Sequence, residues 1–497
     1  MMTFNLIDEP WIPVIGWKRV SLKQIFSDET ISGLAGTPLE KIAVLKLLQA
    51  ISQASDTPAD TQEWRKRGAD LLAFGKTCNA YLEKNHEVFD LYGDKPFLQV
   101  KAVTKAKKCP IGALYPHIAS GNNTVWRSEQ IPESLDDGEK ALLLLVQMSC
   151  GFAGKRPDSK FSIKKGLVKK SAHAGPAIER LGALHSFCLG ESLLETVWLN
   201  TFTQEEIETK MPECPQGLGE PPWERMPLSE EDDVACRLKE TLMGRLVPLC
   251  RFCLIVGNEM HLTEGIVHPG SKEFCYDPSM LVTREATSKG DNLKLTWSDP
   301  EKSPWRELTA ICSFLASQRN TQSECQQVNF CWTKSRGMFP ELTVWSGGVQ
   351  VTSTMGEQKV SGANDYVESE TTFPPLQDWF GYFSNEMGLI DSALNYLDLS
   401  INHYAEKMKS SDSDARKKKA RRLFWQQCER VRQRIVDGCT NREKREALRR
   451  TISRLLVESF DEVCPNETAR QLDAWAYSRP SFRKYISGLS QKENPRV

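Results

Sequence analysis

The sequence predicts an α+β protein: a large mixed N-terminal domain with short strands and helices, followed by a C-terminal α-helical bundle of the four-helix type. Three observations predict it. Between about Gly244 and Val351, short β-rich runs alternate with Gly, Pro and Asp turns. After Pro374-Pro375 the chain reads as consecutive helices with short polar breaks. At 497 residues it exceeds one ordinary core and calls for about two to four domains. The boundary falls at the proline pair, giving domains over residues 1–374 and 375–497.

The opening Asn5-Leu6-Ile7-Asp8-Glu9-Pro10-Trp11-Ile12-Pro13-Val14 is punctuated by prolines and predicts short edge strands. A helix follows, with Thr37 as cap, Pro38 at its first position and Glu40 completing a capping box. Ile42, Leu45, Leu48 and Ile51 form one apolar stripe along it. Asp136 or Asp137 starts a second helix, which runs through Leu142 to Val146 and ends at Gly151. The β-rich runs are Leu246-Val247, Leu254 to Val256, Leu293 to Trp297 and Leu342 to Trp345, with a helix expected over Trp305 to Gln318. In the C-terminal region the stripes are Ile390, Leu394, Leu397 and Ile401; then Leu423, Cys428 and Val431; then Leu448, Ile452, Leu455 and Leu456.

Hydrophobic residues make up 40% and charged residues 26%, the composition of a soluble globular protein. The longest strongly apolar run, Ala141 to Val146, is far below the roughly 20 residues needed to span a bilayer. No basic stretch followed by a long apolar one opens the chain, so no secretory signal is expected. Fifteen scattered cysteines in contexts such as Cys150, Cys188 and Cys312 point to reduced, buried thiols in a cytoplasmic protein. The net charge of −1 conceals basic patches: 17 Lys/Arg against 8 Asp/Glu from Ile401 to Phe460, and 7 Lys/Arg against Asp158 alone from Lys155 to Lys170. Such patches suit a polyanion on one face, or are simply solvated.

Catalytic motifs are missing. No two of the seven histidines lie within four residues of each other, and H-E-x-x-H and H-x-H are absent. Gly75-Lys76-Thr77 resembles the end of a phosphate-binding loop, but the position that loop reserves for its first glycine is Asp70. Cys250 and Cys253 have the spacing of half a zinc site with no second half; the strand-like Leu254-Ile255-Val256 favours structural packing over metal. No cofactor is expected.

Two loops suit a nucleic acid. Gly121, Asn122, Asn123 and Thr124 offer backbone N–H groups and amides to phosphates or base edges, with Trp126 as anchor or wedge. Gly151-Phe152-Ala153-Gly154-Lys155-Arg156 lets backbone approach a groove closely, and Lys155, Arg156, Lys160, Lys164 and Lys165 supply cations that release counterions from phosphates. Both loops flank the helix of residues 137–150. An inward-packed Trp126 and a chance glycine-rich turn are the plain alternatives.

In their order along nearly the whole chain, these features resemble the large subunit of type I-E Cascade (the CasA family), part of the RNA-guided surveillance complex of CRISPR systems. The resemblance is carried by Leu6 to Val14, the helix starting Pro38-Leu39-Glu40, Gly121 to Thr124, Gly151 to Gly154, the stretch from His268-Pro269 to Cys275, Gly347-Gly348 and the helical C-terminus. It implies a non-catalytic subunit that reads the protospacer-adjacent motif (PAM) in double-stranded target DNA, promotes unwinding and R-loop formation, and helps recruit a helicase-nuclease. Its partners would be the crRNA and the other Cascade subunits. Gly151, Phe152, Ala153 and Gly154 would line the minor groove, and Gly121 to Thr124 would meet the crRNA end and nearby DNA. Arg416, Lys417, Lys418, Arg421 and Arg422 would contact strand phosphates.

Two departures stand out. Where some relatives carry a lysine finger, Asn258-Glu259-Met260-His261 has no lysine. Gln350 lies three residues early for the family's glutamine wedge, so Val351 and Thr352 are alternative wedges. The competing reading is a crRNA-binding or scaffolding subunit without direct duplex recognition; a hydrolase is a distant third, lacking any legible catalytic constellation.

Overall fold

The computed structural model describes residues 3–16, 18–106, 108–116, 118, 131–151, 181–229, 231–270, 274–287, 290–316, 323–354, 357–360 and 363–489. The chain forms two compact units. One comprises Met1–Pro304, Gln322–Phe339 and Thr343–Glu370; the other comprises Trp305–Thr321, Pro340–Leu342 and Thr371–Val497.

In the first unit the proline-punctuated opening forms isolated bridges, Ile12 with Val20 and Val14 with Leu34, instead of the expected edge strands. Pro10 and Pro13 lack the N–H groups a ladder needs. Helix α1 (Pro38–Asp56) carries the expected box: Thr37 Oγ1 accepts from Glu40 N at 3.4 Å and Glu40 Oε2 accepts from Thr37 N at 2.7 Å. Its apolar stripe is buried, and so are Lys46, Gln49, Ser52 and Gln53, which makes α1 a central helix. Gln49, Ser52 and Gln53 bond to the distant segment around Asn200, although Gln49 Oε1 has no hydrogen-bond partner. Gln49 Nε2 donates to Asn200 O at 2.6 Å, Ser52 and Thr201 share a 2.7 Å hydroxyl bond, and Gln53 Oε1 accepts from Phe202 N at 2.6 Å.

Helix α2 (Thr61–Gly68) places Trp64 in a stack with Trp198, with ring centroids 4.1 Å apart. Each indole N–H donates to the other residue's carbonyl, at 3.1 and 3.0 Å. Asp70 caps α3 (Leu71–Lys84), and Gly75 is buried in it, so Gly75-Lys76-Thr77 is helix and not a phosphate loop. Helices α4 (Asp137–Cys150), α5 (Leu193–Asn200) and α6 (Gln326–Ser335) complete the unit's labelled helices.

The sheets are small and their described pairings antiparallel. Strand β1 (Lys108–Pro110) joins β3 (Arg251–Val256) and β4 (Glu259–Glu264) in the order β1-β4-β3. Strand β2 (His185–Leu189) lies at the edge of β11-β8-β2, with β8 at Leu342–Val349 and β11 at Tyr366–Phe373. Strands β5 (Val282–Thr287), β6 (Gly290–Leu295) and β7 (Ser323–Glu324) order as β6-β5-β7, and β9 (Thr352–Thr354) pairs with β10 (Glu357–Lys359). Leu246-Val247, expected as a strand, instead ends the short helix Leu242–Leu246.

A buried polar network ties α1 to the sheet layer. The Lys46 ammonium pairs with the Asp277 carboxylate, with the side chains 2% and 1% exposed. Asp277 Oδ1 also accepts from Ser279 N at 3.0 Å and from Ser279 Oγ at 2.7 Å, and that hydroxyl lies 2.7 Å from His185 Nδ1 on β2. A second buried pair, Lys334 with Glu206 at 2.7 Å, fastens α6 to the helix Gln204–Lys210.

The second unit is built on α7 (Gln377–Met408), α8 (Ser413–Arg430), α9 (Arg432–Gly438), α10 (Arg442–Val463) and α11 (Ala469–Ser478). The expected stripes of α7 and α10 are buried. On α8 the inward residues are Ala420, Phe424 and Cys428, while Leu423 is half-buried, so the expected stripe is rotated by one position. The segment expected as one helix from Trp305 belongs to this unit as a 3₁₀ turn (Pro304–Glu307), an α turn (Leu308–Ile311) and a second 3₁₀ turn (Ser313–Leu315). Trp305 Nε1 donates to Glu429 at 2.7 Å, and the Arg306 guanidinium lies 3.7 Å from the Trp425 ring centre. No described helix is long and apolar enough to cross a membrane.

Buried charge makes two outcomes measurable. Lys46→Met leaves Asp277 uncompensated and lowers unfolding free energy by about 3–5 kcal/mol; chemical denaturation measures it, and a joint Lys46→Met/Asp277→Leu change recovers part of the loss. Burial pushes the Glu213 carboxyl from its ordinary 4.5 up to about 7, against the opposing pull of Arg245. Between those values the folded state holds a proton that the unfolded chain has released, so stability falls as pH rises and levels off above about 7. Melting curves across pH 4.5–7.5 should show this slope, reduced in Glu213→Gln.

Candidate nucleic-acid interface

The two candidate loops precede and follow helix α4 in the chain. Asp136 caps it by accepting from Glu139 N at 2.8 Å, and is itself held by Arg19 at 2.6 Å. Gln147 Nε2 donates to the Leu114 carbonyl at 2.9 Å, which fastens the segment leading into the first loop. Gly121, Asn122, Asn123, Thr124 and Trp126 themselves lie outside the described residues. At the other end Gly151 leaves the helix with extended backbone and is buried; a Cβ there would lie 3.2 Å from the Gln147 carbonyl and 3.3 Å from the buried Arg251 side chain. Phe152, Ala153, Gly154, Lys155, Arg156, Lys160, Lys164 and Lys165 lie outside the described residues.

The chain re-enters the described structure at Leu181, and there it meets the candidate wedge. A Cβ on Gly182 would sit 3.0 Å from the Trp297 ring and 3.4 Å from Val351. Gln350 N donates to Asp365 O at 2.8 Å and is half-buried, as is Val351, whereas Thr352 is exposed at the root of the β9–β10 hairpin. Trp297 is 49% exposed beside them. Motif order could not single it out, because it closes a strand run like any aromatic; an exposed indole at a hairpin root is a tertiary signal. The Gly347-Gly348 pair lies within β8 and serves close packing. A Cβ on Gly348 would come 2.1 Å from Ser298 Oγ and 2.7 Å from the Ala183 carbonyl.

Cross-strand pairing also brings a lysine to the region that lacks one in sequence. Lys108 of β1 stands opposite His261 of β4, and its ammonium pairs with Glu259 while the side chain stays 56% exposed. Sequence proximity gave no hint of it, since Lys108 and Glu259 are 151 residues apart.

Cys250 and Cys253 are fully buried, with Cys250 Sγ 3.5 Å from the Ser149 carbonyl, and desolvation raises the Cys253 thiol strongly. Among the described residues no group of three His, Cys, Asp or Glu side chains is placed to hold a metal ion.

Several α8 cations are engaged within the fold. Arg416 pairs with Asp412 at 2.7 Å and bonds the Val463 carbonyl, and the Asp412 contact raises its pKa. Lys417 pairs with Asp414 at 2.7 Å, and Arg421 with Asp398 at 2.7 Å. Lys418 and Arg422 are exposed on the same helix.

This architecture is an α+β fold with a helical C-terminal region, and solved structures share it. The Thermus thermophilus CasA (Cse1) structure superposes with a TM-score of 0.73 at 19% identity, covering 98% of this chain and 100% of that one. Cse1 from Acidimicrobium ferrooxidans gives 0.74 at 17% identity, with 98% of each chain covered. A chain of a CRISPR RNA-guided surveillance complex gives 0.69 at 16%, covering 96% of this chain and 99% of that one. In sequence, the CRISPR-associated protein CasA/Cse1 of Thermus thermophilus is 28% identical over 332 residues, 62% of this chain and 60% of that protein's length. Residues 5–459 match the family model of CRISPR-associated protein Cse1, and the chain belongs to that family.

Gly348→Ala should cost about 1–3 kcal/mol by overpacking against backbone, read as a lowered melting temperature.

Proposed function

We propose that this chain is a non-catalytic, DNA-binding subunit of a Cascade-type surveillance complex, which reads the PAM in double-stranded DNA, promotes unwinding and R-loop formation, and helps recruit a helicase-nuclease. Family membership supports the assembly, with crRNA and other Cascade subunits as partners. The observation that carries the DNA reading is the packing of Gly182 against Val351 and Trp297 at the root of the β9–β10 hairpin, 12 residues along the chain from the basic segment of residues 155–170. In this reading the cations of that segment supply phosphate neutralisation, and the exposed indole and threonine at the hairpin root supply an apolar wedge, the two things needed to hold and part a duplex. Gly151 is buried and does not line the groove; backbone approach through Phe152, Ala153 and Gly154 would suit the minor groove, whose degenerate acceptor pattern tolerates motif variation. In this reading the hairpin as a body, led by Thr352, does the wedging, and Gln350 braces it through Asp365. Lys108 supplies the cation that the β3–β4 turn lacks.

On α8, the exposed Arg422 is a better strand contact than Arg416, Lys417 or Arg421, which would first have to leave their carboxylates. The paired cations also favour a purely scaffolding role for that helix, and one experiment separates the readings. Lys155→Ala/Arg156→Ala should abolish duplex binding while leaving assembly with crRNA intact. Wild-type affinity should fall steeply between about 50 and 200 mM salt. Loss of assembly with duplex binding unchanged would favour the scaffold, and a salt-independent affinity would sink phosphate neutralisation.

A further inference from the structure

The first turns of α10 hold a concentration of positive charge that the proposed function leaves unused. Arg442, Arg445, Arg449 and Arg450 line a surface cavity of about 430 Å³, together with Glu446. Their spacing of three, seven and eight residues from the first puts all four on one helix face, where a core-facing helix would carry its apolar stripe. Arg449 holds the fully buried Glu386 carboxylate of α7 through Nε, 3.0 Å from each oxygen. Arg442 Nε lies 3.3 Å from Glu446. The Arg445 guanidinium sits over the Tyr382 ring, 3.6 Å from its centre, and its Nη1 is buried without a hydrogen-bond partner. Four guanidinium groups against two carboxylates leave an excess of two positive charges at one concavity.

We propose that this cavity binds a compact phosphate-bearing anion of two or more charges, a pyrophosphate or the phosphates of a nucleotide. A phosphate monoester or diphosphate carries that charge on one compact group, and its oxygens match the planar donor forks of arginine. The volume also lies in the range of small-ligand pockets. A phosphodiester strand distributes single charges along its length, which suits an extended run of cations such as that of α8 and not a closed pocket. The site goes beyond duplex recognition and does not depend on it.

Calorimetry of the full chain at low salt tests this with three probes: pyrophosphate, orthophosphate, and a single-stranded oligodeoxynucleotide lacking terminal phosphates. One pyrophosphate should bind per chain, more tightly than orthophosphate, and fail to displace the oligonucleotide. Arg445→Gln and Arg450→Gln should each weaken pyrophosphate binding about tenfold. Arg450 is exposed, so its variant keeps the fold even if the Arg445 change disturbs the Tyr382 stack. The proposal is overturned by no saturable pyrophosphate binding, by binding unchanged in both variants, or by an oligonucleotide that competes with pyrophosphate and depends on the same arginines.

Discussion

The buried Lys46–Asp277 pair is the constraint on which the first unit depends. Two ions taken out of water lose several kcal/mol of hydration each, and only close pairing with further hydrogen bonds compensates. That requirement holds Asp277 against Ser279 and Ser279 against His185, so the central helix cannot shift without breaking bonds that reach β2. Strand β2 pairs residue by residue with β8, from His185 opposite Gly347 to Leu189 opposite Thr343. The root of the β9–β10 hairpin is therefore placed by a chain of polar contacts that begins in the core. For the proposed wedge, this is a rigid mount.

The same electrostatic logic runs in the opposite direction in the helical unit. A surplus of positive charge between Ile401 and Phe460 looks uniform along the chain. Folding sorts it. Arg416, Lys417 and Arg421 are engaged by neighbouring carboxylates, Arg449 neutralises a fully buried glutamate, and Arg445 rests on an aromatic face. Two arrangements of cations result: on α8 most are paired while Lys418 and Arg422 are exposed, and on α10 four arginines line one concavity.

The site was legible to an unequal degree. The sequence singles out both candidate loops by small polar residues and adjacent cations; apart from the buried Gly151, they lie outside the described residues. Trp297 and Lys108 were not legible. Trp297 is a candidate only because folding exposes it beside Gly182 and Val351, and Lys108 only because a strand register joins residues 151 positions apart.

What the sequence by itself determined is local. Thr37 with Glu40 defines one helix start and Asp136 or Asp137 brackets another, because a capping side chain bonds donors two or three residues away; the structure settles the second on Asp136. The 3.6-residue stripes of α7 and α10 define buried faces for the same reason of short range. Only the tertiary structure decided that Leu246-Val247 closes a helix, that α1 is buried on its polar side as well, and that Gly347-Gly348 is a packing device inside a strand. Each of those outcomes depends on partners far along the chain, such as Asn200, Ser298 and Asp277, and no local pattern encodes who the partner will be.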